Sequence, residues 1–290
     1  MLESSPGPGG APSTVQQKVA KPISSFGDKG AVALAWQDLF DALLHARFWL
    51  AIGWNDIVQR YRGSILGPFW LTLSTAVFIA GLGPLYATLF GLKVREYLPY
   101  MATGIVCWNF IVASINESSR AFVDAGPLMR EIRMPRMTHI LHVLWRNVII
   151  FAHNIPVIAA VMIYAEVPLG LNTLAIIPGF ALLLVNLFWI AVVTSIIAAR
   201  YRDVVQIISS ILLLAFFLTP VLWNPNMQKV PWWLIDLNPF AAFIELVRAP
   251  ILDHPLSLPL LINAALTAVL GSLVAALMFV RYRKHLVYWV

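Results

Sequence analysis

Residues 56–90 read DIVQRYRGSILGPFWLTLSTAVFIAGLGPLYATLF, a stretch that opens basic at Arg60, Tyr61 and Arg62 and then runs without a charge from Ile65 to Phe90. The uncharged run is 26 residues long. At about 1.5 Å of rise per residue, about 20 helical residues cross a hydrocarbon core of roughly 30 Å, so this run can span a bilayer with some tilt. In lipid the backbone must satisfy its own polar groups, and a helix does so within one segment. The two arginines at its start put that end in the cytoplasm under the positive-inside rule.

Composition agrees. The chain has 290 residues, 60% hydrophobic and only 12% charged, where soluble domains carry about 25% charged residues. This defines an all-α integral membrane protein. The net charge of +6 lies mostly beside apolar runs, so it signals topology rather than nucleic-acid binding. Cys107 is the single cysteine, which excludes an intramolecular disulfide; it reads as a small buried apolar side chain. Residues 1–30, rich in Gly, Pro, Ser and Ala, read as a disordered cytoplasmic tail without a secretory signal.

Residues 31–63 are expected to form an amphipathic helix on the inner membrane surface. Trp36, Leu39, Phe40, Leu43, Leu44 and Phe48 recur at helical spacing, with Gln37, Asp38, Asp41 and His45 on the other side. Five apolar runs follow the first: 100–118, 140–164 with Pro156 as a kink, 174–199, 204–223 and 256–280. Residues 64–281 thus read as a six-span domain, with 282–290 a second cytoplasmic tail and both termini inside. Sixteen Lys and Arg then fall inside and four outside, the asymmetry expected of the correct orientation.

Between the last two runs, residues 224–255 are too apolar for a free loop and too broken by proline for a span. Asn238 before Pro239 is a helix-start signal. Two short helices, near 230–236 and 239–249, are expected to form a re-entrant outer hairpin marked by Trp232 and Trp233, with Phe240 on its apolar face and Glu245 and Arg248 on its polar one. Broken helices at membrane depth need protein or a wet cavity around them, so this hairpin flanks a pathway and Trp232, Trp233, Asn238, Pro239, Phe240 and Glu245 form its candidate gate. On the cytoplasmic side, residues 119–138 read SRAFVDAGPLMREIRMPRMT. A short helix with Leu128, Met129 and Ile132 beside Arg130, Glu131 and Arg133 suits either a protein partner or anionic headgroups.

RYRGSILGPFW at 60–70, GPLMREIRMPR at 126–136, ARYRDV at 199–204, FFLTPVLW at 216–223 and LNPFAAFIELVR at 237–248 resemble, in order and spacing, the permeases of ABC transporters that export polysaccharides. The resemblance spans roughly residues 35–285. It implies a homodimeric permease in the cell inner membrane, two copies of a separate ATPase and a lipid-linked polysaccharide as cargo, O-antigen or lipopolysaccharide first and capsule or teichoic acid next. It implies that Leu128, Met129, Arg130, Glu131, Arg133, Met134 and Pro135 couple to the ATPase, and that Arg60, Tyr61 and Arg62 stand where the first span begins.

No G-x-x-x-x-G-K-[ST] occurs, so ATP and Mg²⁺ are expected in the partner and no cofactor in this chain. No metal-site spacing occurs; His139 and His142 have no carboxylate beside them in sequence. Glu117 and Arg120, three apart, are placed to pair or to snorkel. Within spans, aromatic rings can stack on sugars; Trp70, Tyr86 and Trp108 are candidates for the pathway, although ordinary lipid-facing or core packing is the better explanation of any one of them. A membrane enzyme acting on lipid-linked sugars is the rival reading, but its outer acids, Glu96, Glu166, Asp236, Glu245 and Asp253, are scattered in sequence. A passive channel would not need residues 119–138.

Overall fold

The computed structural model describes residues 30–290, except Leu66, Pro68, Arg133, Leu169 and residues 226–229. The amino-terminal tail up to residue 29, and Arg133 of the coupling segment, lie outside the described residues. Among the described residues the chain is all helical: α1 (Ala31–Leu44), α2 (Ala46–Arg60), α3 (Phe69–Leu89), α4 (Val94–Ser119), α5 (Ala121–Asp124), α6 (Gly126–Glu131), α7 (Met137–Ala165), α8 (Ile176–Arg200), α9 (Val204–Leu218), α10 (Trp232–Asp236), α11 (Pro239–Ile251), α12 (Leu258–Tyr282) and α13 (Leu286–Trp289). A 3₁₀ turn, Leu171–Ala175, leads into α8.

Five of these, α3, α4, α7, α8 with its 3₁₀ turn, and α12, are long and apolar enough to cross a membrane. The run at 204–223 differs from expectation. Its helix stops at Leu218, and its 15 residues reach about 22 Å at about 1.5 Å each, short of a full crossing. The reason lies in the chain that follows, where Pro220 cannot continue the helix and Thr219 is extended.

α4 is the core of the bundle. Of its most apolar window 72% is buried, against 11% for α3. It packs on α7, α8, α3 and α11. Phe110 stacks on Phe151 of α7 and Phe180 of α8, with ring centroids 5.0 and 5.6 Å away. α3, α9 and α12 line the outside with exposed apolar side chains such as Phe69, Val77, Leu213 and Val269.

Residues 31–63 form two helices rather than one, broken at His45, whose ring nitrogen Nδ1 bonds the Asp41 carbonyl 2.7 Å away and whose own N–H closes α1. The expected apolar stripe is exposed: Trp36, Phe40, Leu43, Leu44 and Phe48 all face outward. On the polar side Gln37 and His45 are exposed and Asp41 is half-buried. Asp38 is buried against the bundle. The turn into α3 uses Gly63 and Gly67 at φ of 85° and 54°, a left-handed conformation that glycine adopts without steric cost. The segment 282–290, expected as a cytoplasmic tail, ends in helix α13, docked on the bundle with Leu286 fully buried.

Two polar poles on the central helix and an exposed helix beside one of them

Hydrogen-bonded and charged side chains gather at the two ends of α4. At its carboxyl end, Glu117 accepts from Arg146 (2.8 Å) and Asn147 (2.8 Å) on α7, and from Arg60 (3.3 Å) at the end of α2. Arg146 also donates to Asp56 at 2.7 Å. Glu117 therefore does not pair with Arg120; Arg120 faces Asp124 instead at 3.6 Å. Spacing along one helix suggested the local pair, but the tertiary fold brings arginines from two other helices closer. These groups line a cavity of about 450 Å³ with His139, His142 and Leu128. Of the three residues at the start of the first span, Arg60 joins this cluster, Arg62 is exposed, and Tyr61 is half-buried, its phenol pushed above the usual range by burial.

Next to this pole lies the 126–136 segment. Its Gly-Pro start and six-residue α6 leave Pro127, Leu128, Arg130, Glu131 and Ile132 exposed, while Met129 and Met134 are half-buried. Two anchors hold it. Arg130 donates to the Val290 carbonyl of the docked α13. At the far end, Asp38 of α1 accepts from the Met137 backbone N–H (3.1 Å) and Arg283 Nε (3.0 Å), with Arg136 at 3.6 Å. Burial lowers the Arg136 guanidinium from its ordinary value, with Arg283 acting the same way and Asp38 opposing. One carboxylate thus joins α1, the segment's end and the end of α12.

The other pole lies about 26 Å away along α4, at about 1.5 Å per residue from Glu117 to Tyr100. Here the non-helical residues after α9 expose backbone carbonyls. Tyr97 donates to Leu222 (2.7 Å), and Tyr100 to Pro220 and Trp223 (3.1 Å each). Arg248 of α11 donates to Pro220 (2.8 Å) and Val221 (3.2 Å), its guanidinium 3.9 Å from the Tyr100 ring centroid. Asn238 caps α11 as its sequence predicted, accepting from the Phe240 and Ala241 N–H groups, and its amide donates to Thr219 (3.1 Å). Two short helices form near the expected positions, α10 with exposed Trp232 and Trp233 and α11 opened by Pro239.

The three aromatic candidates do not converge. Trp70 is exposed on α3, Tyr86 packs on Phe90, and Trp108 is buried between Phe216 and Phe240, 5.7 Å from each. Sequence reading missed Arg248, which it set on a polar face. The signal available was an arginine three residues after Glu245 in a segment otherwise apolar. The outer acids do not converge either: Glu96 faces Lys93, Glu166 faces Arg95 and Glu245 faces Arg248. Among the described residues no three His, Cys, Asp or Glu are grouped to hold a metal ion.

Long apolar helices around one buried helix, with charged clusters at its two ends, define a multi-pass membrane protein. The chain belongs to the family described as ABC-2 type transporter, which matches residues 47–252. The family carries the expectation of an ATPase partner. The chain is 27% identical over 229 residues to the O-antigen export system permease protein RfbA of Myxococcus xanthus, covering 74% of this chain and 85% of that protein. It is 26% identical over 196 residues to a protein of the same name from Klebsiella pneumoniae, covering 66% of this chain and 74% of that one. A second Klebsiella pneumoniae protein of that name is 24% identical over 193 residues.

Proposed function

We propose that this chain is the membrane permease subunit of an ATP-driven exporter of lipid-linked polysaccharide, O-antigen in particular, in the cell inner membrane. Two copies form the pathway, and two copies of a separate ATPase dock beneath them and hold the ATP and Mg²⁺. This chain binds neither nucleotide nor metal and has no catalytic residue. The relatives' names support the cargo. Both termini lie in the cytoplasm, an orientation supported by sixteen basic residues against four.

In this reading α1 and α2 lie on the inner interface, supported by the exposed stripe from Trp36 to Phe48. α9 and the residues after it complete a sixth crossing, and α10–α11 dip back from the outer side as a gate. The observation that carries the reading is α6: an exposed amphipathic helix, pinned by Arg130 in its last turn and followed a few residues on by the Asp38 junction, so that a push on it reaches α1, α7 and α12. Leu128, Met129, Arg130, Glu131, Arg133, Met134 and Pro135 are the contact to the ATPase. Arg60, Tyr61 and Arg62 border the cytoplasmic approach, and of the three aromatic candidates Trp108, between Phe216 and Phe240, belongs to the pathway.

The test is affinity purification from mild detergent with mass spectrometry and an ATPase assay. A P-loop protein is expected at equal stoichiometry. Leu128→Asp with Ile132→Asp, both exposed and therefore harmless to the fold, should strip it away and abolish surface polysaccharide. Intact export in that double variant would refute the coupling role.

A further inference from the structure

Arg248 is 2% exposed, at the pole of α4 opposite Glu117. An ionisable side chain inside a membrane bundle is costly and marks function. Its neutralisation is incomplete: the nearest carboxylate, Glu245, is 3.9 Å away, and its Nε is buried with no protein acceptor. Its two short bonds go to neutral carbonyls, Pro220 and Val221. The contrast is Arg146 at the other pole, which holds two carboxylates at 2.7 and 2.8 Å. The carbonyls that Arg248 bonds carry no opposing charge, so water replaces them more readily in a wet pathway than it replaces the two carboxylates on Arg146.

A space is reserved for this contact. A Cβ on Gly104 would lie 2.2 Å from Arg248 Nη2 and 2.5 Å from the Val221 oxygen, so only glycine admits the guanidinium between α4 and the end of α9. The same contact draws α9 and α11 onto α4, where Phe216 and Phe240 close on Trp108.

We propose that Arg248 is a latch, a positioning residue that holds α9 and α11 closed on α4 through the Pro220 and Val221 carbonyls and lets go when the pathway opens. The inference rests on the exporter reading. The aromatic cluster around Trp108 is the seal that Arg248 maintains.

The experiment is passive K⁺ efflux from proteoliposomes holding the full chain alone. Three variants probe one contact from three sides: Arg248→Met removes the donors, Gly104→Ala wedges them out, and Tyr100→Phe deletes the hydroxyl shared with Pro220 while keeping the ring. Arg248→Met and Gly104→Ala are expected to leak about tenfold faster than the wild type, the population shift that losing one or two such bonds produces. Tyr100→Phe should leak less, and Arg248→Lys should restore part of the seal. If Arg248→Met fails to fold, a leaking Gly104→Ala still supports the latch. Gly104→Ala and Tyr100→Phe vesicles recovered at wild-type yield and as tight as the wild type would overturn it, leaving Arg248 a fixed brace. No ATPase, ATP or polysaccharide enters this assay, so a missing ATPase partner refutes the exporter reading while tight vesicles refute the latch.

Discussion

Replacing Asp38 with alanine tests whether the junction of α1, α7 and α12 holds that end of the bundle together. The carboxylate is buried and accepts from Met137 N–H at 3.1 Å and from Arg283 at 3.0 Å, with Arg136 at 3.6 Å. Its loss leaves two guanidiniums facing each other without a counter-charge. Removing one partner of a buried pair costs about 3–5 kcal/mol. The arginines keep 20% and 21% of their side-chain surface in solvent, so water relieves part of the penalty; the lower end, about 3 kcal/mol, is expected. At roughly 2 °C per kcal/mol for a chain of this size, the melting temperature should fall by about 6 °C. Differential scanning fluorimetry in detergent reads this directly. Arg283→Met should cost less, because Asp38 then retains Arg136. In the double variant the two effects should not add, since each removes the same contact. A fall of under about 1 °C for Asp38→Ala, or strict additivity with Arg283→Met, would refute the claim that one carboxylate ties these helices.

Arg146→Met should destabilise by about 3 kcal/mol or more, because Asp56 and Glu117 then lose their closest cation. Arg60→Met, whose side chain is 43% exposed, should cost under about 1 kcal/mol by the same thermal assay. Asn238→Asp should keep the cap of α11 but lose the amide donor to Thr219, whereas Asn238→Ala loses both and costs about 1 kcal/mol more; equal melting points would remove the cap from the account. Gly179→Ala puts a Cβ 2.3 Å from the Leu246 carbonyl and should cost about 1–3 kcal/mol by forcing α8 from α11. Gly81→Ala, with nothing within 4 Å, should be neutral or slightly stabilising, so equal effects of the two would contradict this packing.

Much of the site was legible from local signals. Asn238-Pro239 announced the start of α11, because a cap and a first-turn proline act on neighbouring backbone groups alone. The Gly126-Pro127 start of α6 was readable for the same reason, and Leu128 is exposed as the amphipathic pattern suggested, whereas Met129 is half-buried. The pairings were not legible. Glu117 lies three residues from Arg120 in sequence, yet bonds Arg60 and Arg146, which reach it from α2 and α7. Asp38 fell on the polar side of an amphipathic helix, and a polar face can meet water or a buried arginine equally well. The expected sixth crossing failed as a continuous helix because apolarity continues to Trp223 while the hydrogen-bond ladder stops at Leu218.

The sequence by itself determined the quantities that add up along the chain. Apolar length fixed the long helices, and capping residues set where short helices begin. Each depends on neighbours within a turn or on the thickness of a bilayer. The tertiary structure alone decided which helix is buried, which arginine meets which carboxylate, and that the broken end of α9 is satisfied by Tyr97, Tyr100 and Arg248. Those contacts join residues more than a hundred positions apart in places, as between Tyr97 and Leu222. No periodicity encodes such a distance, because a buried polar group is satisfied by whichever partner the packing of whole helices brings within about 3 Å.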